Sequence, residues 1–208
     1  LFLGKPIIEY SIRTALESKI FDEVMVSTDC SNIAKISVKL GAKVPFMRSK
    51  INSDDYSTTL DVVNEVVKEY KKVNKNFSYI CCLYPTAPFV NKDLLKEALK
   101  LLTLSKTDLV FPIIKFSYPI QRALTYNIQN SRVQFLNERY KNSRSQDLKE
   151  FFHDSGQFYF FTSKKISQKH ASIIDNNSCG IVIDEIDAQD IDNISDWKLA
   201  ELKFKTKM

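Results

Sequence analysis

A chain of 208 residues with 44% hydrophobic and 26% charged side chains can bury one substantial core and has the make-up of an ordinary globular domain. No apolar run reaches bilayer-spanning length, which excludes a helical membrane protein, and the formal charge of +5 is dispersed along the chain, so an anionic small ligand is expected and a nucleic-acid partner is not. The four cysteines (Cys30, Cys81, Cys82 and Cys179) lack paired zinc spacing and read as reduced core thiols of a cytoplasmic protein.

Taken in order, Ile8, Ile12, Ala15 and Leu16 recur at helical spacing after Pro6, which suits a first-turn position. Glu23 to Thr28 reads as a short buried strand. Ser31 or Asn32 caps a helix that ends at Gly41, and Lys43 to Phe46 reads as a further strand. After a polar stretch from Arg48 to Thr59, the positions Leu60, Val63, Val66, Val67 and Tyr70 mark a long amphipathic helix. Phe77 to Tyr84 is expected to be a strand, Asn91 to Leu102 a helix capped by Asn91, and Asp108 to Ile114 a strand. This alternation predicts an α/β, Rossmann-like fold with a mostly parallel sheet and helices on both faces. The rhythm breaks between residues 115 and 149, where an inserted segment is placed. It returns with strands at Gly156 to Thr162 and Gly180 to Asp184 and a last helix from Ile194 to Phe204. Residues 1–208 thus read as a single domain with one excursion.

Ligands of open parallel sheets bind beyond the carboxyl ends of the strands. That rule selects Thr28-Asp29, Pro85 to Pro88 and Asp190-Ile-Asp192 as groups able to converge on one crevice. In an extended segment Asp190 and Asp192 project to one side and can hold a hard divalent cation with nucleotide phosphates; the alternative is helix capping by Asp192. Arg48 is placed to bind a phosphate, with Asp55 and the hydroxyls of residues 57–59 behind it. For Ser57, capping of the following helix is the favoured role. Two prolines stiffen the loop that presents Thr86 and the Ala87 N–H.

Residues 144–161 put ligand-gripping groups directly before an aromatic strand. Arg144 offers a two-pronged contact to a carboxylate or phosphate, and Gln146 and Gln157 offer donors and acceptors. Asp147, His153 and Asp154 lie between them. The alternative is a polar connector ahead of a core strand. His153 is equally a structural histidine or a substrate contact, and His170 is expected at the surface.

Leu83-Tyr-Pro-Thr-Ala-Pro88, Arg48 followed by Asp55 and Ser57-Thr58-Thr59, Arg144-Ser-Gln-Asp147, His153-Asp-Ser-Gly-Gln-Phe-Tyr159 and Gln189-Asp-Ile-Asp192 together resemble the acylneuraminate cytidylyltransferases, and among them the bacterial pseudaminic acid cytidylyltransferases. The resemblance implies an enzyme that joins CTP to a nonulosonic acid, giving a CMP-sugar and pyrophosphate with Mg2+ bound. It assigns catalysis and metal binding to Asp190 and Asp192, nucleotide contacts to Arg48, Asp55 and Thr58, and sugar contacts to Tyr84, Thr86, Ala87, Arg144, Gln146, His153, Gln157 and Tyr159. It also makes 115–149 a homodimerisation segment. Sialic acid synthetases usually carry Gln where Tyr84 stands, so a sugar with a different side chain is implied. The family opens with a strand and a glycine-rich basic loop, and Leu1 to Ile8 resembles the stretch after that loop. The domain is therefore expected to lack its first strand and triphosphate cradle as the chain stands, and to be inactive in that form.

Two other readings remain open on the residues alone. A non-catalytic sugar- or nucleotide-binding protein could keep the pocket without the cradle, and a glycosyltransferase also uses paired aspartates at its metal.

Overall fold

The computed structural model describes residues 1–168 and 172–207; the expectation for His170 lies outside them. Helices α1 (Ile7–Ser18), α2 (Ser31–Lys39) and α3 (Thr59–Lys72) precede strand β1 (Tyr79–Leu83), helix α4 (Lys92–Leu104) and strand β2 (Leu109–Lys115). A two-stranded excursion, β3 (Leu124–Asn127) and β4 (Arg132–Phe135), follows. The chain returns through β5 (Phe152–Asp154), β6 (Phe158–Thr162), the single turn α5 (Ser163–Ile166), β7 (Ser178–Ile183) and α6 (Ile194–Lys205).

Local chemistry accounts for most helix boundaries. The Asn91 side chain accepts from the N–H groups of Asp93 and Leu94 at the start of α4, and α6 begins with a reciprocal box between Asn193 and Asp196. Thr58 and Asp61 form the same box at α3, so the cap is Thr58 and not Ser57, whose hydroxyl binds Asp54 and the Ile51 carbonyl. Pro6 stands at the N-cap of α1, one position earlier than its fixed φ suggested. Cys30 holds that position at α2, and neither makes a side-chain cap.

The main sheet is mixed, which corrects the mostly parallel expectation. β6 lies between β1 and β2 and runs antiparallel to both, β5 is antiparallel to β2, and β7 alone pairs with β2 in parallel. The two early strands predicted at 23–28 and 43–46 reduce to one parallel bridge between Met25 and Lys43. Helices do cover both faces. Phe158 and Phe160 turn toward α4, packing with Leu95, Ala98 and Leu102, while Tyr159 and Phe161 turn toward α3 and α5, packing with Val63 and Ile166. All four aromatics are buried, as the unbroken apolar run predicts for a strand covered on both sides. Full burial of a large apolar side chain contributes roughly 2–3 kcal/mol. Cys81 and Cys82 likewise divide between the two faces, and the four cysteines are free. A third cluster, Phe2, Phe89 and Ala200, docks α6 against the start of α1. No helix among the described residues is long and apolar enough to cross a membrane.

Candidate active site

The feature that shapes the site is the interruption between β5 and β6. Both strands lie along one edge of β2, with Asp154 opposite Ile113 and Phe160 opposite Val110. Between these two pairs the β5–β6 side has three more residues than β2 does. The surplus, Ser155-Gly156-Gln157, bulges out of the ladder; the Ser155 N–H still reaches the Pro112 carbonyl at 3.2 Å, and Gly156 adopts φ of +66°. A left-handed backbone at that point suits glycine. Because β6 runs antiparallel to β1, its beginning lies at the carboxyl end of β1, with Leu83 opposite Phe158 and the Tyr84 N–H donating to the Gln157 carbonyl at 2.9 Å.

Four side chains are joined across this corner. The Tyr159 hydroxyl donates to Asp154, whose other carboxylate oxygen accepts from the Gly156 N–H at 2.9 Å. The rings of Tyr159 and Tyr84 meet edge to face with centroids 5.7 Å apart, and the Tyr84 hydroxyl lies 2.8 Å from that of Thr59 in the first turn of α3. Burial raises the phenol pKa of both tyrosines, and for Tyr159 the neighbouring Asp154 adds to the rise, so both stay protonated. The sequence offered the Thr59 hydroxyl to a base or ribose and left Asp154 among the polar groups ahead of the strand, without pairing either with a tyrosine. The Asp154-Ser-Gly spacing, an acceptor two residues before a glycine, is the signal that a turn anchored by its own aspartate was present.

Gln157 is buried at 2% exposure, and its side-chain N–H donates to the Asp187 carbonyl at 2.7 Å, tying the corner to the turn that precedes Asp190. Its Oε1, like the Ser155 hydroxyl, is buried without a hydrogen-bond partner among the described residues. Asp190 lies against Gly156, where an added Cβ would stand 3.4 Å from its Oδ1. Partial burial and then the charge of Asp192 push the Asp190 carboxyl above the ordinary range, with smaller contributions from Asp196 and Asp154. Capping of α6 falls to Asn193 and Asp196, so Asp192 is not used as the cap. No group of three or more His, Cys, Asp or Glu able to hold a metal ion occurs among the described residues. The carboxylate pair suits a small hard cation that takes its remaining oxygens from phosphates and water, and a cation there relieves the repulsion that raises Asp190.

Arg48 lies at the open end of the 24–28 segment. Its N–H donates to the Thr28 carbonyl at 2.9 Å and its Nε to the Ser27 hydroxyl at 3.1 Å. Its charge reaches Cys82, whose thiol burial nevertheless pushes up to about 12. The Thr58 hydroxyl is engaged with Asp61, and Asp55 is exposed. Ala87 sits in the core at 2% exposure, so only its backbone can serve a ligand, and Thr86 is half-buried. His153 packs against Phe116 with centroids 4.8 Å apart and its Nδ1 lies 2.8 Å from the Asp154 carbonyl. Arg144 and Gln146 are exposed; Arg144 lies 3.9 Å from Asp147 and against the Gln146 amide. The structure thus joins Tyr84, Gln157, Tyr159 and Asp190 through Asp154 and Gly156, and leaves Arg144 and Gln146 in contact with their own turn. Two pockets of about 380 Å³, one lined by Lys71, Lys75 and Lys164 and one under the β3–β4 hairpin, lie elsewhere.

The cytidylyltransferase family model matches residues 1–182. A pseudaminic acid cytidylyltransferase of Campylobacter jejuni is 42% identical over 204 residues, covering 98% of this chain and 87% of that protein. A CMP-N,N'-diacetyllegionaminic acid synthase of Legionella pneumophila is 26% identical over 97% of this chain and 86% of its own length. A solved CMP:2-keto-3-deoxy-manno-octonic acid synthetase complexed with CTP superposes with a TM-score of 0.69 at 14% identity, covering 100% of this chain and 91% of that one.

Proposed function

The chain belongs to the cytidylyltransferase family, and from that premise we propose that this nucleotidyltransferase joins CTP to a nonulosonic acid, pseudaminic acid in the first instance. The observation that carries the reading is the meeting of the Asp190–Asp192 pair with the Asp154–Tyr159 corner at the open end of the sheet. Anionic and hydroxylated groups would both find partners there.

In the proposed reaction the anomeric hydroxyl oxygen forms a bond to the α-phosphorus of CTP, the bond to the β-phosphate oxygen breaks, pyrophosphate leaves and the hydroxyl proton passes to solvent. Such transfer depends on positioning and charge neutralisation more than on a strong base. Asp190 and Asp192 would hold magnesium, which when bound neutralises charge developing on the phosphates. Arg48 and Asp55 would serve the nucleotide together with the backbone of Thr58, whose hydroxyl is taken by its cap. Tyr84, Thr86, Gln157 and Tyr159 would line the sugar side, with the Ala87 N–H contributing from the loop. Arg144, Gln146 and His153 would serve the sugar's carboxylate. Tyr126 and Leu136 on the excursion are 62% and 69% exposed, which supports a homodimer formed through residues 115–149.

The test is pyrophosphate release from CTP and Mg2+ by the protein expressed from its full reading frame, with pseudaminic acid and N-acetylneuraminic acid offered separately. Release with pseudaminic acid alone is the expected result. Release with neither acid from folded protein would overturn the transferase reading for these substrates. Elution at the monomer mass at micromolar concentration would overturn the dimer.

A further inference from the structure

We propose that Asp154 is a positioning residue for the nonulosonic acid, an inference that rests on the cytidylyltransferase reading above. Its two carboxylate oxygens do different jobs on one short stretch of chain. One accepts from the Gly156 N–H at 2.9 Å and closes the bulge that brings Gly156 against Asp190; the other accepts from the Tyr159 hydroxyl. No cation neutralises it among the described residues. The carboxylate therefore fixes two groups of opposite character, the glycine that borders the Asp190 carboxylate and the phenol that borders Tyr84.

The geometry makes this arrangement directional. Tyr159 is buried on β6, so its ring cannot swing freely, and the one freedom left to its hydroxyl is the direction of the proton. Asp154 sets that direction, because an ionised carboxylate accepts and does not donate. With the Tyr159 proton held toward Asp154, its oxygen keeps lone pairs for a donor on the other side, and the edge-to-face contact carries the restraint to Tyr84 and, through its hydroxyl, to Thr59. Elements α3, β1, β5 and β6 thereby share one rigid wall. The nucleotide candidates Arg48 and Asp55 make no hydrogen bond to Asp154, so the phenol arm of the carboxylate is felt by the sugar, whereas the glycine arm reaches the Asp190 side that would face CTP; Tyr159→Phe, which spares the glycine arm, isolates the first.

Three variants test this. Asp154→Ala removes both acceptors. Asp154→Asn keeps an oxygen for the Gly156 N–H but turns an amide donor toward Tyr159, and Tyr159→Phe removes only the phenol bond. Initial rates give KM for each substrate, and NMR of the same proteins gives the Tyr159 hydroxyl proton and the Gly156 amide. The expected result is a sugar KM raised about tenfold in Asp154→Ala, the scale of one net charge-assisted hydrogen bond, and raised more than CTP KM, which stays within about twofold of wild type in Tyr159→Phe. In sugar KM, Asp154→Asn and Tyr159→Phe should fall between wild type and Asp154→Ala. Equal changes in both KM values, or none in Asp154→Ala, would overturn the positioning role. If wild-type protein releases no pyrophosphate, the functional reading fails separately, and the NMR decides. A slowly exchanging Tyr159 hydroxyl proton and a shifted Gly156 amide, both lost in Asp154→Ala, support the positioning geometry; their persistence in that variant overturns it.

Discussion

Replacing Gly156 with alanine separates what the bulge does for folding from what it does for chemistry. At φ of +66° an L-residue costs roughly 1–2 kcal/mol, offset by about 0.4–1 kcal/mol from the smaller entropy of the unfolded chain. A net loss of about 1 kcal/mol lowers Tm by roughly 2–4 °C in a domain of this size. The new methyl stands 3.4 Å from Asp190 Oδ1, an ordinary contact distance, so the fold accommodates it while one side of the carboxylate is closed. Pyrophosphate release per folded molecule is expected to drop at least about tenfold, or some 1.4 kcal/mol of transition-state stabilisation. Gly180→Ala is the matched control. There an added Cβ lands 2.6 Å from Ile113 Cδ1 and leaves the Asp190 carboxylate open, so overpacking of about 1–3 kcal/mol should lower Tm more than Gly156→Ala does while costing less rate per folded molecule. Thermal melts by circular dichroism and initial rates corrected for folded fraction provide both numbers. A full rate from folded Gly156→Ala protein would refute the placement of the reaction beside Asp190.

Removing one charge of the carboxylate pair should trade function for stability. Asp190→Asn relieves the repulsion from Asp192, so Tm is expected to rise slightly while activity and its dependence on Mg2+ concentration are lost; a lower Tm with the rate retained would contradict this. Burial alone would raise the Glu23 carboxyl, but hydrogen bonds from Tyr70, Lys43 and Lys75 outweigh it and hold the group at about 2. Because the folded-state value is depressed, the stabilisation, at most about 3 kcal/mol, is present above the unfolded-state pKa and fades as pH falls through about 2. Glu23→Gln should flatten the decline of urea-unfolding stability between pH 5 and 2, and an unchanged slope would count against the cluster. Lys165 has a wholly buried ammonium paired with Asp175. Asp175→Asn strands that charge and should lower stability, whereas the double variant with Lys165→Met should regain most of the loss in the same unfolding assay; no recovery would refute the pairing argument.

The order of helices and the identity of the central strand were legible because they are written in local patterns. Helical spacing in α1, α3 and α4, the Asn91 cap and the aromatic run of β6 each depend on neighbours a few positions away. The polar motifs around Asp190 and Gln157 and the family they belong to were readable for the same reason, since residue type and spacing carry them. The direction of β6 was not. An apolar run looks the same whichever way it enters a sheet, and alternating helices and strands suggested parallel pairing until the contacts of Cys82 with Tyr159 and of Val110 with Phe160 reversed it. The strands predicted at 23–28 and 43–46 share only one bridge, because ladder formation depends on partners along the whole strand and not on β-propensity alone. Arg144 and Gln146 were grouped with Tyr159 by sequence proximity; in the fold they are exposed and their side chains contact their own turn. Asp154 becomes the group that matters because hydrogen bonds to Tyr159 and Gly156 exist only once β5 and β6 are laid along the same edge of β2. Residue types and short spacings were thus determined by the sequence; which of them meet was decided by strand direction and register, since only long-range backbone pairing brings the groups at 59, 84, 154, 159 and 190 into one crevice.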